Sequence, residues 1–175
     1  MSKNKTVTLA SVILVFILFV AMKPGDNPVL LMRVASISAV AVFFGMILYT
    51  RVLWRISPFT ALHNHIDIGG KWYGKLVREN GDECEIDANI TQYLDDIKVK
   101  IKTDDFFNDS LACKMRRDAQ GTYLYVAYRA KPTGKLGSKE QIEFGTFIIK
   151  CDEDFLDGIF YTSGGVYGKV ELYRK

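Results

Sequence analysis

Apolar residues are bunched at the front of the chain and further on alternate with polar ones. Residues 6–22 (TVTLASVILVFILFVAM) carry no charge, and neither do residues 34–50 (VASISAVAVFFGMILYT). Each run approaches the ~20 residues that cross a hydrocarbon core at ~1.5 Å per residue, which predicts two membrane-spanning helices over about 6–22 and 29–53. Between them KPGDNP (23–28) supplies the Pro and Gly that end one helix and turn the chain into the next. Arg33 is placed to snorkel toward the headgroups, and Tyr49 and Trp54 mark the opposite interface. A secretory signal would need an A-x-A cleavage site after the first run, and none follows.

Past a connector over 56–70, with Pro58 inside it and Gly69 and Gly70 at its end, the period changes to two. The segment 97–103 (IKVKIKT) alternates apolar residues with Lys most strictly. Further strands are predicted over 71–78, 85–93, 110–117, 123–130, 142–150, 155–162 and 168–174. Turn signals separate them: Asn80 with Gly81, Asp95 with Asp96, Gly121, residues 132–137, and Gly164 with Gly165. This is the pattern of an antiparallel meander. Eight short strands in an open sheet would expose two edges, so a small antiparallel eight-stranded β-barrel over 71–175 is expected, with a two-sheet sandwich as the alternative. Alternation points Trp72, Gly74, Leu76, Ile86, Ala88, Ile90, Ile97, Val99, Ile101, Leu111, Cys113, Met115, Val170 and Leu172 inward. Trp72 then plugs one barrel end, with Arg174 over its ring.

Charge follows the same division. The formal net charge of +3 suggests a polyanion partner until the chain is split. Residues 66–175 hold 17 Lys and Arg against 19 Asp and Glu, whereas the six cations of the membrane segment oppose only Asp26. The excess reports topology, and no long nucleic acid is expected as a partner. Lys3, Lys5, Arg51 and Arg55 outnumber the cations of the connecting turn, which favours both termini in the cytoplasm. Three cysteines without disulfide or metal spacing agree with that compartment.

No catalytic constellation is evident, and neither an enzyme nor a cofactor is expected. His63 and His65 stand in the connector without Cys or acidic partners, well short of a metal site. Ser163 lacks the G-x-S-x-G frame, and with no His elsewhere no Ser–His pair can form in the strand region. A binding module is better supported: Tyr residues can stack on bases, while Arg117, Arg129 and Lys135 can pair with phosphates. Tyr is also an ordinary strand former, so composition alone leaves both readings open.

Three motifs carry a resemblance: G-x-W-Y-G-x-L at 70–76, L-x-G-x-[FY]-Y-T at 156–162 and G-x-[VI]-x-L-x-R at 168–174. Behind two apolar runs, their order resembles the two-transmembrane, β-strand-rich effector family of CBASS, the bacterial anti-phage systems that signal through cyclic oligonucleotides. The resemblance spans nearly the whole chain. It implies a barrel that binds a cyclic dinucleotide, homo-oligomerises and disrupts the inner membrane bilayer, leading to abortive infection; the protein would be multi-pass in that membrane. It also implies ligand-binding roles for Trp72 and Tyr73 and for Tyr161, Thr162 and Ser163 at the barrel mouth. Chemistry adds Arg117, Tyr125, Tyr128 and Arg129. Since G-x-W also opens lipocalin barrels, a membrane-anchored barrel holding a lipid is the alternative, and a ligand-free scaffold is a third.

Small residues four apart, Ala35 with Ala39 and Ala41 with Gly45, would permit close helix contact.

Overall fold

A computed structural model of the chain describes residues 13, 16–17, 20–21, 28–56, 66–94, 96–133 and 142–175. The chain divides into two units, Met1–His63 and Asn64–Lys175.

In the first unit, helix α1 runs Pro28–Arg51, opening on a proline whose missing N–H costs nothing in a first turn. Among the described residues it is the one helix long and apolar enough to cross a membrane. Its large side chains, among them Met32, Ile37, Val40, Phe43 and Phe44, are exposed. A short 3-10 turn, Leu53–Arg55, follows and buries Trp54. Of the first apolar run only Ile13, Phe16, Ile17, Val20 and Ala21 are described, all helical, so the expected hairpin reduces here to one complete helix. Residues 23–27 of the KPGDNP turn, His63, His65 and Lys135 lie outside the described residues.

The second unit is all strand: β1 Gly70–Arg78, β2 Glu83–Gln92, β3 Ile97–Lys102, β4 Phe106–Asp118, β5 Gly121–Pro132, β6 Glu143–Cys151, β7 Phe155–Thr162 and β8 Tyr167–Arg174. Each pairs antiparallel with the next, and β8 pairs back onto β1, which closes the barrel and removes both edges. That excludes the sandwich. Gly74 makes the closure possible. A Cβ there would stand 1.9 Å from the Glu171 carbonyl oxygen, so β1 and β8 can approach this closely only at glycine.

Inside, the alternate residues of every strand meet in one core. Leu124, Phe147, Ile149, Leu156, Val170 and Leu172 are all essentially inaccessible to solvent. The expected inward set holds except at Leu111, which is 56 % exposed. The ladder between β4 and β5 slips between Ser110 and Ala112. This bulge absorbs Leu111, so Phe106, Asn108 and Ser110 face inward before it, and Cys113 and Met115 after it. The strand also begins four residues earlier than expected, because Phe107, Asn108 and Asp109 already pair with β3.

The two ends of the barrel differ. At one, Trp72 is fully buried and donates its indole N–H to the Ile68 carbonyl at 2.9 Å. Gln92 clamps the chain entering β1, donating to Ile66 O at 3.1 Å and accepting from Ile68 N at 2.8 Å. Arg174 lies over the indole. The other end carries the β1–β2, β3–β4 and β7–β8 connections and, among the described residues, is open.

Candidate ligand cavity at the open end

The open end leads into a cavity of about 540 Å³. That lies within the roughly 300–1,000 Å³ of small-ligand pockets. Leu76, Phe106, Ala130 and Phe160 give it apolar walls. Arg78, Glu79, Asp105, Glu143 and Thr162 stand around the rim, so three carboxylates face one guanidinium among the described lining.

Tyr128 projects inward from β5, its ring stacked on Phe147 with centroids 4.5 Å apart. It fits because its ladder partner is Gly145, where a Cβ would stand 2.4 Å from the phenol oxygen. Burial, with a smaller contribution from Glu143, pushes the phenol up to about 12, so its hydroxyl keeps its proton at neutral pH. Asn108, facing inward from β4, is buried, and its Oδ1 has no hydrogen-bond partner among the described residues.

The rim is tied down by the connections. Tyr167 donates its hydroxyl to a carboxylate oxygen of Glu79, and that bond raises the phenol above its ordinary value. Thr162 Oγ1 accepts from Val166 N at 3.2 Å. The Phe144 amide donates to Ser163 Oγ at 3.2 Å, while Ser163 N donates to Phe144 O at 2.6 Å. Thr133 N donates to Asp105 O at 2.8 Å, joining β5 to the β3–β4 turn.

Among the residues predicted from sequence, Tyr128 and Thr162 line this cavity and Ser163 sits in the adjoining turn. Trp72 is at the opposite end. Tyr73 points out of β1, 6.0 Å ring to ring from Tyr173. Tyr125 is exposed on the outer wall of β5, and Tyr161 stacks on Tyr167 on the outer wall of β7. Arg129 alternates with Tyr128 and so faces outward, between Asp109 and Phe144 in the ladders. Arg117 lies at the far end of β4, opposite Thr122 and exposed. Sequence reasoning missed Arg78, Glu79, Asn108 and Glu143. The first two sit at the end of a strand whose partner β2 begins with three acidic residues in five positions, and nothing in that run singles out a rim.

A second depression, about 380 Å³, lies on the outer wall between Lys71, Asp87, Lys100, Lys102, Phe107 and Lys175. Lys175 and Asp87 pair there at 3.8 Å. Among the described residues no group of three His, Cys, Asp or Glu is placed to hold a metal.

An apolar helix ahead of a closed eight-stranded barrel, stoppered at one end and cavitied at the other, defines a receptor barrel for one small ligand. Residues 64–174 match the family model described as Cap15, cyclic dinucleotide receptor domain, and the chain belongs to that family. It is also 21 % identical, over 128 residues, to CD-NTase-associated protein 15 of Staphylococcus schleiferi, covering 72 % of this chain and 70 % of that protein. The resemblance read from the three motifs is thereby borne out at the level of family and barrel.

Proposed function

We propose that the barrel binds a cyclic dinucleotide in its open-end cavity as the sensor of a CBASS anti-phage effector. Binding drives copies of the chain to associate, and their apolar N-terminal helices then disrupt the bacterial inner membrane. The observation that carries this reading is the polarity of the barrel: opposite a packed core and a tryptophan stopper lies a cavity whose walls combine aromatic rings with polar groups. A charged rim also suits a polar ligand better than an acyl chain, which weighs against the lipid-holding alternative.

For association, the outer wall of β6–β7 and the turn beyond it expose Phe144, Ile159, Tyr161, Val166 and Tyr167. Contiguous apolar surface of this kind commonly marks a contact site. Val166 and Tyr167 also line the cavity, so a ligand at the rim touches the same turn that bears the patch. A ligand shifts this equilibrium only if it binds the associated form more tightly.

The lysine-lined depression supports a second reading, in which the phosphates sit outside the barrel. It is the smaller of the two, about 380 Å³ against about 540 Å³, which makes it the weaker site for a ligand of dinucleotide size.

Dye-loaded liposomes carrying the full chain test the proposal. Leakage is expected only on adding a cyclic dinucleotide, rising steeply with protein density, and weakened by Ile159→Lys. Leakage that ignores the ligand would contradict it.

A further inference from the structure

Asn108 is the buried polar side chain of the cavity lining. It is 7 % exposed, and its Oδ1 is without a hydrogen-bond partner among the described residues. Across the ladders it faces Ile101 and Ala130, which offer that oxygen nothing. A buried carbonyl left unpaired has lost its water without gaining a partner. An incoming donor supplies one.

The rest of the lining limits what that donor belongs to. Glu79, Asp105 and Glu143 add acceptors, with Arg78 as the one described cation. Phosphates are acceptors only, so the three carboxylates disfavour them and leave them the Arg78 side of the rim. A base edge is different. It can bring an amino group inward, and flanking Phe106 and Tyr128 give it aromatic faces to lie against.

We infer that Asn108 reads one base of the ligand, Oδ1 accepting from an exocyclic amine and Nδ2 donating to the neighbouring ring nitrogen, the pairing that adenine offers at N6 and N7. This rests on the open end being the nucleotide site. On that same edge guanine presents two acceptors, N7 and O6, and would leave Oδ1 unpaired, while uracil can offer Oδ1 only its N3–H, with a carbonyl rather than a ring nitrogen beside it. The protein thus discriminates by the amide rather than by charge.

The full chain in detergent micelles is titrated by calorimetry with 3′,3′-c-di-AMP, c-di-GMP and c-di-UMP, alongside Asn108→Leu, which keeps the branched outline of the side chain while deleting both amide atoms. The wild type is expected to prefer c-di-AMP by roughly 5- to 150-fold, the span of one good bidentate base contact. In Asn108→Leu that preference collapses, c-di-UMP binding stays as it was, and Tm does not fall. A purely structural role would lower Tm and leave the ratio of affinities intact. Equal weakening of all three ligands, or a wild-type preference for c-di-GMP or c-di-UMP, overturns the inference while leaving a nucleotide sensor. If none of the three binds the wild type, the underlying reading falls with it.

Discussion

The guanidinium of Arg174 lies over the indole of Trp72, its carbon 4.8 Å from the ring centroid. The last strand thereby seals the first. The same guanidinium donates to Asp67 O at 2.6 Å and to Glu153 O at 2.8 Å, tying the chain's entry into the barrel to the β6–β7 turn. This stopper closes one end of the barrel.

Removing it should cost stability while leaving the distant cavity in place. Trp72→Ala is expected to lose about 3–5 kcal/mol, as large buried aromatics do. Arg174→Ala should lose about 1–3 kcal/mol, since it strands carbonyl acceptors and uncovers the ring. Urea unfolding followed by tryptophan fluorescence or circular dichroism gives both values, and an Arg174→Ala protein as stable as wild type would deny the stopper its role.

Leu111 separates the bulged ladder from simple alternation. Because it stands outside, Leu111→Lys should shift stability by no more than about 0.5 kcal/mol. Leu124→Ala, inside the core, should lose about 2–5 kcal/mol. A large loss from Leu111→Lys would return that side chain to the interior.

Gly145→Ala addresses the seating of Tyr128. The new methyl meets the phenol and the Tyr161 carbonyl oxygen, each at 2.4 Å, so a loss of about 1–3 kcal/mol is expected. Weakened ligand binding should accompany it. Full stability with unchanged binding would show that the ring moves freely aside.

Alkaline pH should weaken the barrel through two buried groups. Burial pushes the Cys151 thiol from 9.0 up to about 12, and likewise raises the Tyr128 phenol from 10.0 to about 12. Both folded values exceed the unfolded ones, so their contribution is fully present below about pH 9 and is lost as pH climbs toward 12. Thermal melts from pH 8 to 11 should decline, and Cys151→Ala should flatten the decline. Cys151 should also resist thiol reagents at pH 8 until the protein is unfolded.

Much of this architecture was legible in the residues. Strict alternation in IKVKIKT, and glycine turns such as Gly81 and Gly165 with φ of 87° and 80°, set the meander and its length. Aromatic–cation chemistry placed Arg174 over Trp72. What alternation could not give is which wall faces in once a bulge intervenes, since one extra residue inverts everything beyond it. Hence Leu111 read as core, and Asn108 fell outside the strand predicted from residue 110. The cavity was legible only in fragments. Its residues come from the ends of seven strands, and neighbours in sequence such as Tyr128 and Arg129, or Tyr161 and Thr162, fall on opposite faces of the wall.

The most direct test is a calorimetric titration of the full chain in micelles with 3′,3′-c-di-AMP, set beside Ala130→Trp, which fills the cavity, and a Lys100→Ala/Lys102→Ala variant of the outer wall, all checked for fold by circular dichroism. The cavity account predicts saturable binding that Ala130→Trp abolishes and the lysine variant retains. Binding that survives in Ala130→Trp and disappears with the lysines would contradict it and move the site to the outside of the barrel.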